Sequence, residues 1–94
     1  MPYVNSAVRQ SIDPLIDELL INNPGVLNYV ITKIAHNYLK HFGLQYKNIN
    51  EAIGALECAK LELYRMVAAP YEDKKRKNNG PISDLDSLNL EDVR

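Results

Sequence analysis

Apolar residues recur at intervals of three and four along the middle of the chain, and the clearest run lies between Asn23 and Gly43. Such spacing places side chains on one face of an α-helix. Asn23 is suited to cap the first turn, Pro24 fits the first helical position, and Gly43 fits the left-handed residue that follows a helix. We therefore predict a helix over residues 24–42, whose buried face consists of Leu27, Val30, Ile31, Ile34, Ala35, Tyr38 and Phe42.

A second periodic run predicts a longer helix after a short connection. Asn48, with Glu51 three residues later, fits a capping-box variant and marks the start of this helix. Pro70 is expected to end or kink it, because proline removes one backbone hydrogen bond and clashes with the carbonyl four residues earlier. A short helix from 70 to about 77 can follow. Two apolar stripes run along the long helix, so either the first helix or another copy of the protein must cover the second stripe. The main stripe is Ile49, Ile53, Leu56, Ala59, Leu63 and Val67, and the second is Ala55, Cys58, Leu61 and Met66.

The N-terminal part has a shorter helical pattern. Asp13 followed by Pro14 is a helix-start signal, because Asp accepts hydrogen bonds from free amides and Pro lacks the donor that would be left unpaired. We predict a short helix from about Pro14 to Ile21, and Ser6 to Ser11 can form a helical turn before it.

The C-terminal part is polar and acidic. Residues 78–81, Asn-Asn-Gly-Pro, break the helical pattern, so we predict a helical domain over residues 1–80 and a flexible acidic tail over residues 81–94. Alternatively, the tail folds back onto the basic run at 74–77 or binds a partner through its three spaced leucines. Together these elements predict an all-α protein, a small helical bundle with a long helical hairpin, a short N-terminal helix and a short helix after Pro70.

Composition narrows the possible partners. Eleven basic and twelve acidic residues among 94 give a formal net charge of −1, so no overall field attracts DNA, RNA or an anionic membrane. No apolar run approaches the roughly 20 residues of a membrane span, and we expect no signal peptide. Cys58 is the only cysteine, which excludes an internal disulfide and fits a reducing compartment. We expect a cytoplasmic protein without DNA, RNA or membrane partners.

No pattern of catalytic or metal-binding residues emerges. His36 and His41 are five residues apart, whereas neighbours on one helix face are three or four apart, so a shared metal is not expected. Cys58 lies in mid-helix without a predicted base beside it. The four glycines are scattered and form no phosphate-binding loop. We expect neither enzymatic activity nor a metal or other cofactor.

Two groups of polar residues are candidates for a ligand site. In the second helix, Tyr29, Thr32 and Lys33 form a donor-rich strip with Asn28 and His36. This strip is either a solvated helix face or a rim that hydrogen-bonds a small polar ligand.

The second group lies near Pro70. Arg65 and Tyr71 offer a planar guanidinium and an aromatic ring, which are suited to gripping phosphate and stacking on a base. The alternative is that Arg65 pairs with a local acid, Glu57 or Glu62, in a surface ion pair worth only about 0.2 to 1 kcal/mol.

Six short motifs form a specific set. They are LNYVIT at 27–32, GALECAKLELYR at 54–65, PYED at 70–73, MPY at 1–3, IDP at 12–14 and NG at 79–80. As a set they resemble a family of short uncharacterised helical proteins from bacteria and their phages, over about residues 1–80. The resemblance implies a compact helical module without assigning an activity. Met66 stands where a second Arg is expected, and Pro81-Ile82 replaces an expected Asp-Val, so an anion site at the helix end is weakened here.

A second resemblance concerns the overall plan. Small phage proteins that sequester cyclic-nucleotide immune signals are similar in size, in their helical hairpin and in an Arg-x4-Pro helix end. This resemblance implies a non-enzymatic, homo-oligomeric anti-defence protein in the host cytoplasm, which holds a small nucleotide-like ligand between subunits. The alternative is a protein-interaction module or inhibitor that acts through an apolar helix face or the tail. The residues available to hold the ligand are Tyr29, Thr32, Lys33, Arg65 and Tyr71.

Overall fold

The computed structural model describes residues 4–87, and all regular structure in this part of the chain is helical, which confirms the all-α prediction. The backbone forms two compact units, Met1–Glu57 and Cys58–Arg94, whose boundary falls inside the third helix. The elements are α1 (Ser6–Asp17), α2 (Pro24–Phe42), α3 (Tyr46–Leu63), a π-helical turn (Tyr64–Ala68), α4 (Ala69–Asn79) and α5 (Asp84–Ser87).

Helix α1 begins earlier than predicted. Asn5 caps it by accepting a hydrogen bond from the Val8 N–H at 3.0 Å, and the helix runs through Pro14 to Asp17. The predicted start at Pro14 and end at Ile21 are therefore wrong. Because the capped first turn precedes the proline, the helix is already formed at Pro14 and loses one backbone hydrogen bond there without ending.

Helix α2 has the predicted bounds. The Asn23 side chain accepts a hydrogen bond from the Val26 N–H at 2.9 Å, which satisfies one of the free amides of the first turn. Gly43 ends the helix with a φ of 109°, a conformation that L side chains rarely adopt. Its N–H donates to the Leu39 carbonyl at 2.7 Å. Capping residues at both ends therefore confirm the boundaries that the sequence predicted.

Helix α3 begins at Tyr46, before the predicted cap. Asn48 lies inside the helix, and its side-chain amide donates to the carbonyls of Phe42 at 3.1 Å and Gly43 at 2.9 Å. The capping-box interpretation is therefore wrong. The last carbonyls of α2 have no partner within their own helix, and an amide donor from the next helix supplies one.

A second bridge joins α2 to the first part of α3 in the predicted hairpin. The Tyr38 hydroxyl donates to a carboxylate oxygen of Glu51 at 3.1 Å. This hydrogen bond, together with desolvation and the nearby negative charge, raises the pKa of Tyr38. Lys47 lies 3.9 Å from the other carboxylate oxygen of Glu51. Polar side chains thus hold the two helices together close to their connection.

Pro70 does not end the long helix. Residues 46–79 form one helical stretch of 34 residues, interrupted by the π-helical turn, in which the Ala69 N–H donates to the Tyr64 carbonyl five residues earlier. The wider turn accommodates a residue that cannot form the regular bond to the fourth preceding carbonyl. Of the two expectations for Pro70, an end or a kink, the end is wrong, and α4 is the short helix predicted to follow.

The chain after α4 forms a tight turn that leads into α5. Asp86 accepts hydrogen bonds from the backbone N–H groups of Ser83 at 2.9 Å and Ile82 at 3.2 Å. These bonds, with a smaller contribution from the positive charge of Arg76, lower the pKa of Asp86. This part of the predicted tail therefore has a helical turn, whereas residues 88–94 of that prediction lie outside the described residues.

The predicted core positions remain partly exposed. In the described part of the chain Asn48 is the one buried side chain, whereas Leu27 is 46% exposed and Ile31 and Leu56 are each 41% exposed. The prediction that the apolar face of α2 is buried is therefore wrong for a single copy.

Candidate ligand site on the second helix

The structure brings three of the predicted site residues together on α2. Tyr29 and Lys33 are exposed to solvent. The Thr32 hydroxyl lies 2.9 Å from the backbone oxygen and 3.1 Å from the side-chain oxygen of Asn28, so its single proton is donated within the helix. Thr32 can therefore only accept hydrogen bonds from a ligand, through its lone pairs, whereas Tyr29 and Lys33 can donate hydrogen bonds to it.

The same face of α2 continues as a row of basic residues. Lys33, His36 and Lys40 are spaced by three and four residues, which places them one above another on a helix. All three are exposed, and no carboxylate of the described residues forms an ion pair with them. Sequence reasoning placed Lys33 and His36 on the strip but missed Lys40. The signal that could have found it is the absence of any Asp or Glu from residues 19–50.

An open depression lies at the C-terminal end of this row. It has a volume of about 400 Å³ and both basic and apolar walls. The C-terminal end of a helix is normally unfavourable for an anion because its free carbonyls carry partial negative charge. Here the Asn48 amide donates to two of those carbonyls and reduces that charge. The residues that line the depression are His36, Leu39, Lys40, Gly43 and Leu44.

Arg65, which the sequence placed at the ligand site, is held by a neighbouring carboxylate. Its Nη2 atom donates to the two carboxylate oxygens of Glu62 at 3.0 and 3.2 Å. The side chain of Glu62 is only 22% exposed. The alternative interpretation of Arg65 as a member of a local ion pair therefore describes its position, and a phosphate at Arg65 must compete with Glu62.

Tyr71 also has a neighbour on its own helix. The Lys75 ammonium lies 5.7 Å from the centre of the Tyr71 ring, within the range of a cation–π contact. The ring itself is 59% exposed. Tyr71 can therefore present the face of its ring, with the Lys75 ammonium nearby, to an aromatic ligand.

The five predicted residues belong to two parts of the chain. Tyr29, Thr32 and Lys33 lie in the first unit, and Arg65 and Tyr71 lie in the second. Tyr29, Thr32 and Lys33 share one helix, whereas Arg65 and Tyr71 each contact a different neighbour, Glu62 and Lys75 respectively.

The described helices offer neither a cluster of metal ligands nor a candidate membrane span. No three His, Cys, Asp or Glu side chains of residues 4–87 cluster in a way that could hold a metal ion. None of the helices within the same range is both long and apolar enough to cross a membrane.

Comparisons with known proteins identify one relationship. A family model described as a domain of unknown function (DUF6899) matches residues 1–82. No curated protein and no solved structure matches the chain.

Proposed function

Because the chain belongs to the DUF6899 family, whose description specifies no activity, we propose its function from its surface: it is a small non-enzymatic binding protein that assembles with identical copies and sequesters a nucleotide-like ligand. The observation that carries this proposal is the division of α2 into two opposite faces. One face is apolar and partly exposed, and the other is basic in a stretch without acidic residues.

The apolar face of α2 supports self-assembly. Leu27, Ile31 and Ile34 are spaced by four and three residues, the spacing of a coiled-coil seam, and are between 41% and 58% exposed. Burying one such side chain completely is worth about 1.5 to 3 kcal/mol. In a two-fold symmetric dimer the two copies contact each other through the same surface. The apolar face of α2 can therefore pack against the same face of a second copy.

The polar face supports an anionic ligand that carries an aromatic group. Lys33 offers a positive charge without a competing carboxylate among the described residues, and the exposed ring of Tyr29 lies one turn away. Arg65 and Tyr71 add a guanidinium and a ring in the second unit. A nucleotide-derived immune signal fits this chemistry, and the resemblance to phage proteins of that kind suggests an anti-defence role in the host cytoplasm.

Native mass spectrometry of the untagged protein from cell lysate tests both parts of the proposal. We expect an oligomer that retains small molecules of nucleotide mass, whereas a bare monomer would contradict it. Isothermal titration with cyclic dinucleotides, cyclic trinucleotides and ADP-ribose derivatives then tests the ligand class. An absence of heat with all of them would show that the ligand class is wrong.

A pair of variants tests the assembly surface. Ile34→Glu places a charge in the apolar face of α2, and we expect it to give monomers in analytical ultracentrifugation. Asn37→Glu adds the same charge on the same helix outside that face and should leave the oligomer intact. Equal effects of the two substitutions, or none from either, would exclude this face as the assembly surface.

A second function, a protein-interaction module, is favoured by the C-terminal turn. Ile82 is 95% exposed and Leu85 93% exposed, which leaves two large apolar side chains without cover next to α4. A pull-down from host lysate distinguishes the two functions. A stoichiometric protein partner that is lost in the Leu85→Ser variant would favour this alternative, whereas a sequestering protein should enrich no such partner.

A further inference from the structure

We infer that the row Lys33, His36 and Lys40 on α2 binds the phosphate groups of an organic phosphate that carries at least two phosphoryl groups. This inference rests on the proposed function for the organic part of the ligand only. It assigns the phosphates to the first unit, and it makes Arg65 a residue of an ion pair and not the anion-binding group.

Two basic side chains outside the row have a carboxylate partner, whereas the row has none among the described residues. Lys47 lies 3.9 Å from Glu51, and Arg65 lies 3.0 Å from Glu62. In the first unit, by contrast, the described residues provide no carboxylate as an ion-pair partner for the row. The positive charges of Lys33 and Lys40 are therefore available to an anion.

The length of the row fits more than one phosphoryl group. Seven residues separate Lys33 from Lys40, and this corresponds to about 10 Å along the helix axis at 1.5 Å per residue. His36 lies between them. A flexible lysine at each end can reach inward to adjacent phosphoryl groups, and a ring nitrogen can donate from the middle.

The depression at the end of the row provides space for the rest of the ligand. Leu39 and Leu44 supply apolar walls beside Lys40, which suits a base or a sugar attached to the phosphates. The Asn48 amide donates to carbonyls at this end of α2 and reduces their partial negative charge. The row lies on the side of α2 opposite the apolar face, so self-assembly through that face leaves it open.

Titration of the full chain with inorganic pyrophosphate and with ADP-ribose, followed by amide correlation spectra and calorimetry, tests this site. We expect the largest amide shifts in α2 and the connection to α3. The Lys33→Gln/Lys40→Gln variant should weaken binding of both compounds by about tenfold or more, the loss expected when a charge-assisted hydrogen bond is removed. Lys47→Gln is the matched control and should change the dissociation constant by less than about twofold, because Lys47 lies outside the row and is paired with Glu51.

The outcomes separate this site from the proposed function. Binding of pyrophosphate to α2 without any binding of nucleotide derivatives would support the site and refute the nucleotide function. Binding of ADP-ribose that Lys33→Gln/Lys40→Gln leaves unchanged and Arg65→Ala abolishes would support the function and refute the site. If neither compound binds, both are wrong. Circular dichroism should show that these exposed substitutions leave the helix content unchanged.

Discussion

Replacing Asn48 tests the connection between α2 and α3. The side-chain amide donates two hydrogen bonds, at 2.9 and 3.1 Å, to the end of α2, and it is only 9% exposed. A typical hydrogen bond contributes about 0.5 to 1.5 kcal/mol net, so the two together contribute about 1 to 3 kcal/mol. Alanine recovers about 0.5 kcal/mol through its higher helix propensity. Asn48→Ala should therefore destabilise the protein by about 0.5 to 2.5 kcal/mol.

Thermal unfolding followed by circular dichroism measures this effect at a fixed protein concentration. For a chain of this size the expected loss lowers the midpoint by roughly 2 to 20 °C. Asn50→Ala is the matched control, since Asn50 is exposed on the same helix and should change stability by less than about 0.5 kcal/mol. A wild-type midpoint for Asn48→Ala would refute the donor role.

Aspartate at the same position distinguishes the two roles that Asn48 can have. A helix N-cap accepts a hydrogen bond, so aspartate would serve as well as asparagine. A group that donates to carbonyls cannot be replaced by a carboxylate, which would bring negative charge against two carbonyl oxygens. Asn48→Asp should therefore be more damaging than Asn48→Ala at neutral pH. Wild-type stability in Asn48→Asp would restore the capping-box interpretation.

Two further predictions follow from shifted pKa values. The hydrogen bond to the carboxylate on α3 raises the pKa of Tyr38 above its ordinary 10.0, so its contribution to stability is present below pH 10 and is lost as the pH rises through the raised value. Tyr38→Phe should be less stable than Tyr46→Phe near pH 8, and this difference should vanish in strong alkali; a constant difference in urea titrations would contradict the assignment. Backbone N–H donation, from Ser83 above all, lowers the pKa of Asp86 below its ordinary 3.8, so its contribution is present above pH 3.8 and is lost as the pH falls through the lowered value. Asp86→Asn, but not Asp84→Asn, should speed hydrogen exchange at the Ser83 amide at neutral pH and remove the acid dependence of that exchange.

The helix most fully predicted from the sequence is the one with independent signals at both ends. Asn23, Pro24 and Gly43 each act locally, so the bounds of α2 do not depend on tertiary structure. The local pattern predicts the wrong role for Asn48, because its side chain donates to carbonyls at the end of the preceding helix. The start of α1 is predicted wrongly for a different reason, because Asp-Pro gives the same local signal whether the proline opens a helix or lies within one.

The sequence predicts which functional groups the candidate site contains, but not their contacts in the folded protein. Tyr29 and Lys33 share a helix face by spacing alone, and the structure keeps them exposed. For Arg65 the sequence allows either a ligand contact or an ion pair. The structure shows that its Nη2 atom donates to both carboxylate oxygens of Glu62. Whether apolar faces are buried could not be predicted, because periodicity identifies a face and does not identify what covers it.

The π-helical turn changes how a deletion at this point of the chain would act. A bond to the fifth preceding carbonyl encloses one residue more than a regular helical turn. A chain shortened by one residue here, with alanine in place of Pro70, can form an uninterrupted α-helix without altering any loop. Such a deletion would leave α4 in nearly its present orientation, because the wide turn holds the extra residue within about the same rotation. Conversion of the turn to regular α-helix without the deletion would instead rotate α4 by about 100° relative to the helix residues just before the turn. At the π-helical turn, the length of this chain and the face that α4 presents are therefore linked: loss of one residue preserves that face, and loss of the wide turn alone changes it.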